Sequence, residues 1–76
     1  MNTKETPEEV GGRVGYAIAK DVITNGWPRE WTGLDPQDGD QFTAAGLEPE
    51  SAEWLAAEET AKKAYLFFVG KSKEMA

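Results

Sequence analysis

Apolar positions recur with the period of an α-helix along two stretches of the chain, and turn-forming residues fill the ground between them. The first stretch opens at Thr6-Pro7-Glu8-Glu9. Thr6 suits the N-cap, Pro7 takes the first helical position where a missing N–H costs nothing, and Glu9 completes a capping box. The pattern predicts a helix running to Thr24 or Asn25 and stopped by Gly26 in the left-handed conformation. With each residue turning the helix by about 100°, Val10, Val14, Ile18 and Val22 form one stripe. Gly12, Tyr16, Ala19 and Ile23 form a second on nearly the opposite side, leaving Glu9, Arg13, Lys20 and Asp21 a narrow polar wedge. A helix apolar on two sides reads as central, packed against more than one neighbour.

The second periodic stretch predicts a helix over 50–69. Pro49 or Ser51 opens it, Glu50 and Glu53 suit the positive end of the helix dipole, and Gly70 closes it. Trp54, Ala57, Ala61, Ala64, Tyr65 and Phe68 recur at i, i+3, i+4 and i+7 as its core face. Lys62 and Lys63 follow Glu58 and Glu59 at i+4, the favourable order for ion pairs worth ~0.3 kcal/mol each. Residues 1–5 and 71–76 read as flexible polar tails.

Between the two stretches, residues 26–34 carry Trp27, Trp31 and Leu34, too many large apolar groups for a plain solvated loop. The segment is expected to fold back as a short helical turn that caps the core. Asp35-Pro36-Gln37-Asp38 repeats the N-cap and proline pattern, so a short helix from Pro36 to Ala45, ended by Gly46, is expected. The alternative is a single turn around Phe42 capped by Asp40. The fold class is therefore all-α: a small compact domain of two long helices, a short third helix and a tryptophan-bearing connection. Gly11, Gly12 and Gly15 cost up to ~1 kcal/mol each in a helix interior. They make sense where another backbone or a large ring comes very close, or where the first turns are frayed.

A chain of 76 residues makes one domain, 1–76. A domain of this size buries only about 60% of its unfolded surface and starts with little stability to spare. With no cysteine, disulfides and thiolate metal sites are excluded; with no histidine, the commonest metal ligand and general base is missing. Helix packing or self-association must supply the stability. No export signal or apolar run of the ~20 residues needed to span a bilayer is visible, so a soluble, cytoplasmic protein is expected.

The net charge of −6 is unevenly spread. Residues 30–59 hold Glu30, Asp35, Asp38, Asp40, Glu48, Glu50, Glu53, Glu58 and Glu59 with no Lys or Arg, whereas 60–76 are net positive. Such a block projects a negative field that repels nucleic acids and anionic membranes and attracts basic surfaces.

Candidate chemistry is sparse. Without His or Cys, a nucleophile–base pair would need Ser or Thr with Lys, or a carboxylate dyad, and acids beside Pro and Gly in turns are usually caps. No enzyme, cofactor or metal site is expected. Asp35-x-x-Asp38-Gly39-Asp40 resembles a calcium loop only superficially: the glycine falls one place early and position 12 is Gly46. A helix-turn-helix drawn through residues 42–47 would present Glu50, Glu53, Glu58 and Glu59 to phosphates, so direct nucleic-acid binding is rejected. The glycine cluster follows a helix start rather than a strand and is no phosphate cradle.

Five consecutive apolar residues, Tyr65-Leu66-Phe67-Phe68-Val69, go all the way round a helix. Leu66 and Phe67 lie off the core stripe and are expected to be covered by a partner, a second copy, or the Trp27–Trp31 segment. The leading expectation is a small acidic protein-binding module, an inhibitor or DNA mimic of the kind phages and mobile elements encode. It would dock on a basic protein surface through Asp35, Asp38, Asp40, Glu50 and Glu53, with Leu66 and Phe67 as apolar contacts. The alternative is a structural or assembly subunit, acting as a homodimer or within a larger complex through its apolar helix face.

Overall fold

The computed structural model describes residues 5–75. Three helices follow in order: α1 (Pro7–Asn25), α2 (Pro36–Ala44) and α3 (Ala52–Met75). The all-α expectation holds, and no strand occurs among the described residues.

Both proline-containing starts close as reciprocal capping boxes. The Thr6 hydroxyl accepts from the Glu9 N–H at 3.1 Å and a Glu9 carboxylate oxygen accepts from the Thr6 N–H at 2.9 Å. Asp35 and Asp38 exchange the same pair of bonds at α2, each at 3.1 Å. These four bonds satisfy N–H groups that the first helical turn leaves without partners. Gly26 stops α1 at φ 69°, as its position predicts.

The glycines of α1 set the geometry of the fold. A Cβ on Gly11 would collide with the Ala57 carbonyl oxygen and come within 3.0 Å of the Thr60 Cβ. One on Gly15 would collide with the Ala61 carbonyl oxygen and lie 3.0 Å from the Ala61 Cα. Four residues on along α1 is four residues on along α3, so the two helices run parallel with their backbones nearly touching. Gly12, by contrast, has nothing within 4 Å of where its Cβ would be. Close packing explains two of the three glycines; the structure offers no reason for the third.

A parallel pair forces the chain to return to its starting end. Nineteen residues of α1 rise about 28 Å. The link over 26–35 and α2 share that return: Asp35 and Asp38 line one cleft with Asp21, and Phe42 reaches Val10 and Val14. The link is not the helical turn its tryptophans suggested: it is a return strap without regular secondary structure, with Gly33 at φ 100°.

The core has two parts. Val10, Val14, Phe42, Leu47 and Ala57 cluster at the α2 end, with Trp54 set edge-on to Phe42 at a centroid distance of 5.0 Å. Ala19, Val22, Tyr65 and Val69 cluster at the other, with Trp31 lying on Tyr65 at 5.3 Å. The expected central position of α1 is only half realised. Of its second stripe Ala19 is fully buried, while Tyr16 remains 49% exposed and leans edge-on against Phe68. Two neighbouring helices cannot surround a third.

Further expectations change at the helix ends and tails and in the ion pairs. Gly70 does not end α3, which continues to Met75, because Gly70 stays out of the left-handed region and helix-compatible residues follow. The expected 71–76 tail is therefore helical through Met75, and Ala76 lies outside the described residues. At the other end, residues 1–4 of the expected 1–5 tail lie outside them too, while Glu5 is held by Arg13 at 2.7 Å. That is the one ion pair among the described residues; Glu58–Lys62 and Glu59–Lys63 are not closed. Finally, α3 starts at Ala52 rather than residue 50. The Ser51 hydroxyl accepts from the Trp54 N–H, and Glu50 sits outside the helix at φ 65°.

Candidate functional site

The return strap, the C-terminal half of α1 and the start of α2 enclose a cleft of about 360 Å³. Four carboxylates line it: Asp21 from α1, Glu30 from the strap, and Asp35 and Asp38 from the start of α2. The indoles of Trp27 and Trp31 supply aromatic wall, and no Lys or Arg is among the lining residues. Acceptors therefore outnumber side-chain donors.

The acids are differently engaged. Asp35 and Asp38 each commit one carboxylate oxygen to the capping box, leaving the other free. Burial, with smaller contributions from the nearby Asp35 and Asp21 charges, pushes the Asp38 carboxyl up to about 6. Asp38 therefore takes up a proton more readily than a free carboxyl, chiefly because burial disfavours its charged form.

Tyr65 also lines the cleft. It is 1% exposed, and its hydroxyl has no hydrogen-bond partner. Burial raises its pKa and the charge of Arg29 partly opposes that, so the group stays a neutral phenol. A buried hydroxyl without a partner costs about 1–3 kcal/mol. It is the only buried side-chain polar atom left unsatisfied among the described residues.

The seven residues singled out in the sequence fall in four places. Asp35 and Asp38 meet in the cleft. Glu53 lines a shallower groove of about 440 Å³ together with Glu5 and Glu48. Asp40 and Glu50 are exposed and line neither. Leu66 and Phe67 are exposed on α3 at 47% and 58%, with the Lys71 ammonium 5.9 Å from the Phe67 ring centroid. The strap does not cover them, because Trp31 is spent on Tyr65 and Trp27 is itself 55% exposed.

Sequence reasoning missed Asp21, Trp27, Trp31 and Tyr65 as one site. Asp21 read as part of a polar wedge and Tyr65 as plain core. The usable signal was two tryptophans in a segment bounded by acids.

No group of His, Cys, Asp or Glu suited to hold a metal ion occurs among the described residues, and no described helix is long and apolar enough to cross a membrane. Comparison with protein-family models, curated proteins and solved structures finds no match to this chain.

Proposed function

We propose that this chain is a small acidic binding module that docks on a basic surface of a target protein, without catalysis of its own. The observation that carries the reading is the cleft lined by Asp21, Glu30, Asp35 and Asp38 with no cationic side chain among them. Like charges held together destabilise the free protein, and a positively charged partner relieves that cost. Glu48 and Glu53 extend the negative surface at the second groove, where Glu5 is spent on Arg13. Inhibition of a nucleic-acid-binding protein by imitation of phosphates is the finer form of this reading, and a cytoplasmic setting is consistent with a chain lacking cysteine.

The test uses the paired substitution Glu30→Lys and Glu53→Lys, one in each groove, which touches neither capping box nor core. Exposed charges contribute little to stability, so the variant should stay folded. Its affinity for a basic polypeptide such as protamine should fall, mainly through a slower association rate, and binding by the unaltered chain should weaken steeply with salt. Unchanged, salt-insensitive affinity would sink the reading.

A second reading has its own observation. Tyr16, Leu55, Leu66 and Phe67 are each about half exposed, a large apolar area for so short a chain. An assembly subunit or homodimer would bury it, with weak dependence on salt.

A further inference from the structure

The two long helices run parallel, so both begin at one end of the molecule and finish at the other. One side of the pair is covered by α2 and the strap, which reach Val10, Val14 and Tyr65. The other side is open. Turning each helix by about 100° per residue from the seam at Gly11, Gly15, Ala57 and Ala61 brings six residues onto it: Gly12, Tyr16 and Ile23 of α1, and Ala56, Thr60 and Phe67 of α3. Tyr16 and Phe67 stand on this face as exposed rings, each set edge-on to Phe68 between them. Leu55 and Leu66 are not part of it. They lie about a quarter turn away, on the outer edge of α3.

Charge separates along the same face because the helices are parallel. Among the described side chains flanking it, Glu8 and Glu53 are exposed at the N-terminal end, Lys20 and Lys71 at the C-terminal end. A copy turned end for end by a two-fold axis sets acid against base at both ends and opposes the helix dipoles. A copy running the same way would set like charges together. We propose that two copies of the chain meet through this face, antiparallel, as a four-helix bundle in which α1 packs on α1 and α3 on α3. An axis midway between Glu53 and Lys71 crosses α3 at Lys62 and α1 beside Tyr16, given the levels set by Gly15 and Ala61. Phe67 then lies over the small Ala56 of the other copy. Gly12, which nothing in the single chain explains, leaves room for the other copy's Lys20 on its way to Glu8. Lys63 is a misfit: near the axis it meets itself, which holds the affinity down. Two helices side by side offer a flat footprint of about 550 Å². Accessible surface follows the side-chain relief and is larger, so the face approaches the about 800 Å² per partner of a stable complex. This deepens the assembly reading and rests on it. The acidic cleft sits on the α2 side, so the dimer leaves both clefts facing outward.

Sedimentation equilibrium of the full chain, carried to high micromolar concentration, reads the association. A dimer with weak salt dependence is expected, because rim charges orient the copies while apolar contact holds them. Phe67→Asp should weaken it about tenfold or more, whereas Leu66→Asp, at a comparably exposed apolar position, should not. Gly12→Gln, with open space at its Cβ in the single chain, should stay folded by circular dichroism and also weaken the dimer. It carries the test if Phe67→Asp unfolds. Lys71→Glu should weaken association several-fold, and adding Glu53→Lys should restore it with the charges exchanged. Lys63→Gln should strengthen it. The chain has no cysteine of its own, so Lys63→Cys should give a disulfide-linked dimer on mild oxidation. Lys71→Cys, about 27 Å from its counterpart in this arrangement, should not.

A dimer that survives Phe67→Asp and Gly12→Gln but is lost in Leu66→Asp overturns this face and leaves the assembly reading standing. Linkage through Lys71→Cys rather than Lys63→Cys, or no rescue by the charge exchange, overturns the antiparallel arrangement. An unsubstituted chain that is monomeric at every concentration overturns the proposal together with the homodimer form of the assembly reading. Acidic docking is decided separately, by protamine.

Discussion

Gly15 lies so close to Ala61 that a single added methyl group would run into the Ala61 carbonyl oxygen. The obstruction is backbone, which cannot rotate away as a side chain would, so the two helices would have to separate.

Gly15→Ala should therefore destabilise the protein by about 1–3 kcal/mol, even though alanine is the better helix former. Gly12→Ala, with open space at its Cβ, should stabilise by about 0.5–1 kcal/mol. For a domain of this length each kcal/mol moves the melting temperature by about 4–8 °C, so thermal denaturation should separate the two variants in opposite directions. Equal shifts of one sign would show that α1 and α3 do not pack through this seam.

Asp38 makes stability depend on pH in an unusual sense. Its folded pKa of about 6 lies above the ordinary value of 3.8. The native state therefore holds a proton that the unfolded chain gives up, and stability from this group is full below 3.8 and lost as pH rises through about 6. Because the carboxyl is only partly buried, solvent screening should hold the loss to about 1 kcal/mol. Asp38→Asn keeps an acceptor at the capping position and should flatten the profile between about pH 4 and 6. Glu5, lowered by its hydrogen bond to Arg13, acts in the opposite sense at more acidic pH. Chemical denaturation across that window measures the slope; an unchanged slope in Asp38→Asn would place the proton elsewhere.

Glu50 is the one non-glycine residue at positive φ among the described residues. The left-handed conformation costs an L-residue about 1–2 kcal/mol. Glu50→Gly relieves that strain while giving the unfolded chain more freedom, so a net gain of about 0.5–1 kcal/mol is expected in urea denaturation. A loss would mean that the Glu50 side chain contributes more than its backbone costs.

Phe67→Asp should leave the protein folded, because the ring is mostly exposed and a carboxylate there faces water. Sedimentation separates the two functional readings. If the unsubstituted chain dimerises at high micromolar concentration without regard to salt and Phe67→Asp is monomeric, the assembly reading gains. If both are monomeric, the apolar face awaits another protein.

Local chemistry was legible in the sequence and non-local geometry was not. Thr6-Pro7-x-Glu9, Asp35-Pro36-x-Asp38 and Gly26 each act within a few residues, and each formed as read. Gly11 and Gly15 announced a close approach, but nothing in their spacing said that the approaching backbone ran parallel. That depended on how far the 26–35 strap reaches. Gly70 misled because glycine permits a helix stop without requiring one. Among candidate site residues, Leu66 and Phe67 were expected off the core stripe and are exposed. The cleft escaped notice because its walls come from four separate segments, brought together only when Trp31 settles on Tyr65.

The parallel seam also governs how the molecule can fold. Helical proteins usually fold quickly because neighbouring helices meet as soon as they form. Here the tightest contact joins Gly11 and Gly15 of the first helix to Ala57 and Ala61 of the last, with the strap and α2 between them. During synthesis α1 would keep its glycine face bare until α3 had been made. Isolated short helices rich in glycine are marginal in water, so α1 has little structure to keep while it waits. Folding should be slower than for an up-and-down bundle of the same length, and a cut in the strap should release two unstable fragments rather than one surviving subdomain.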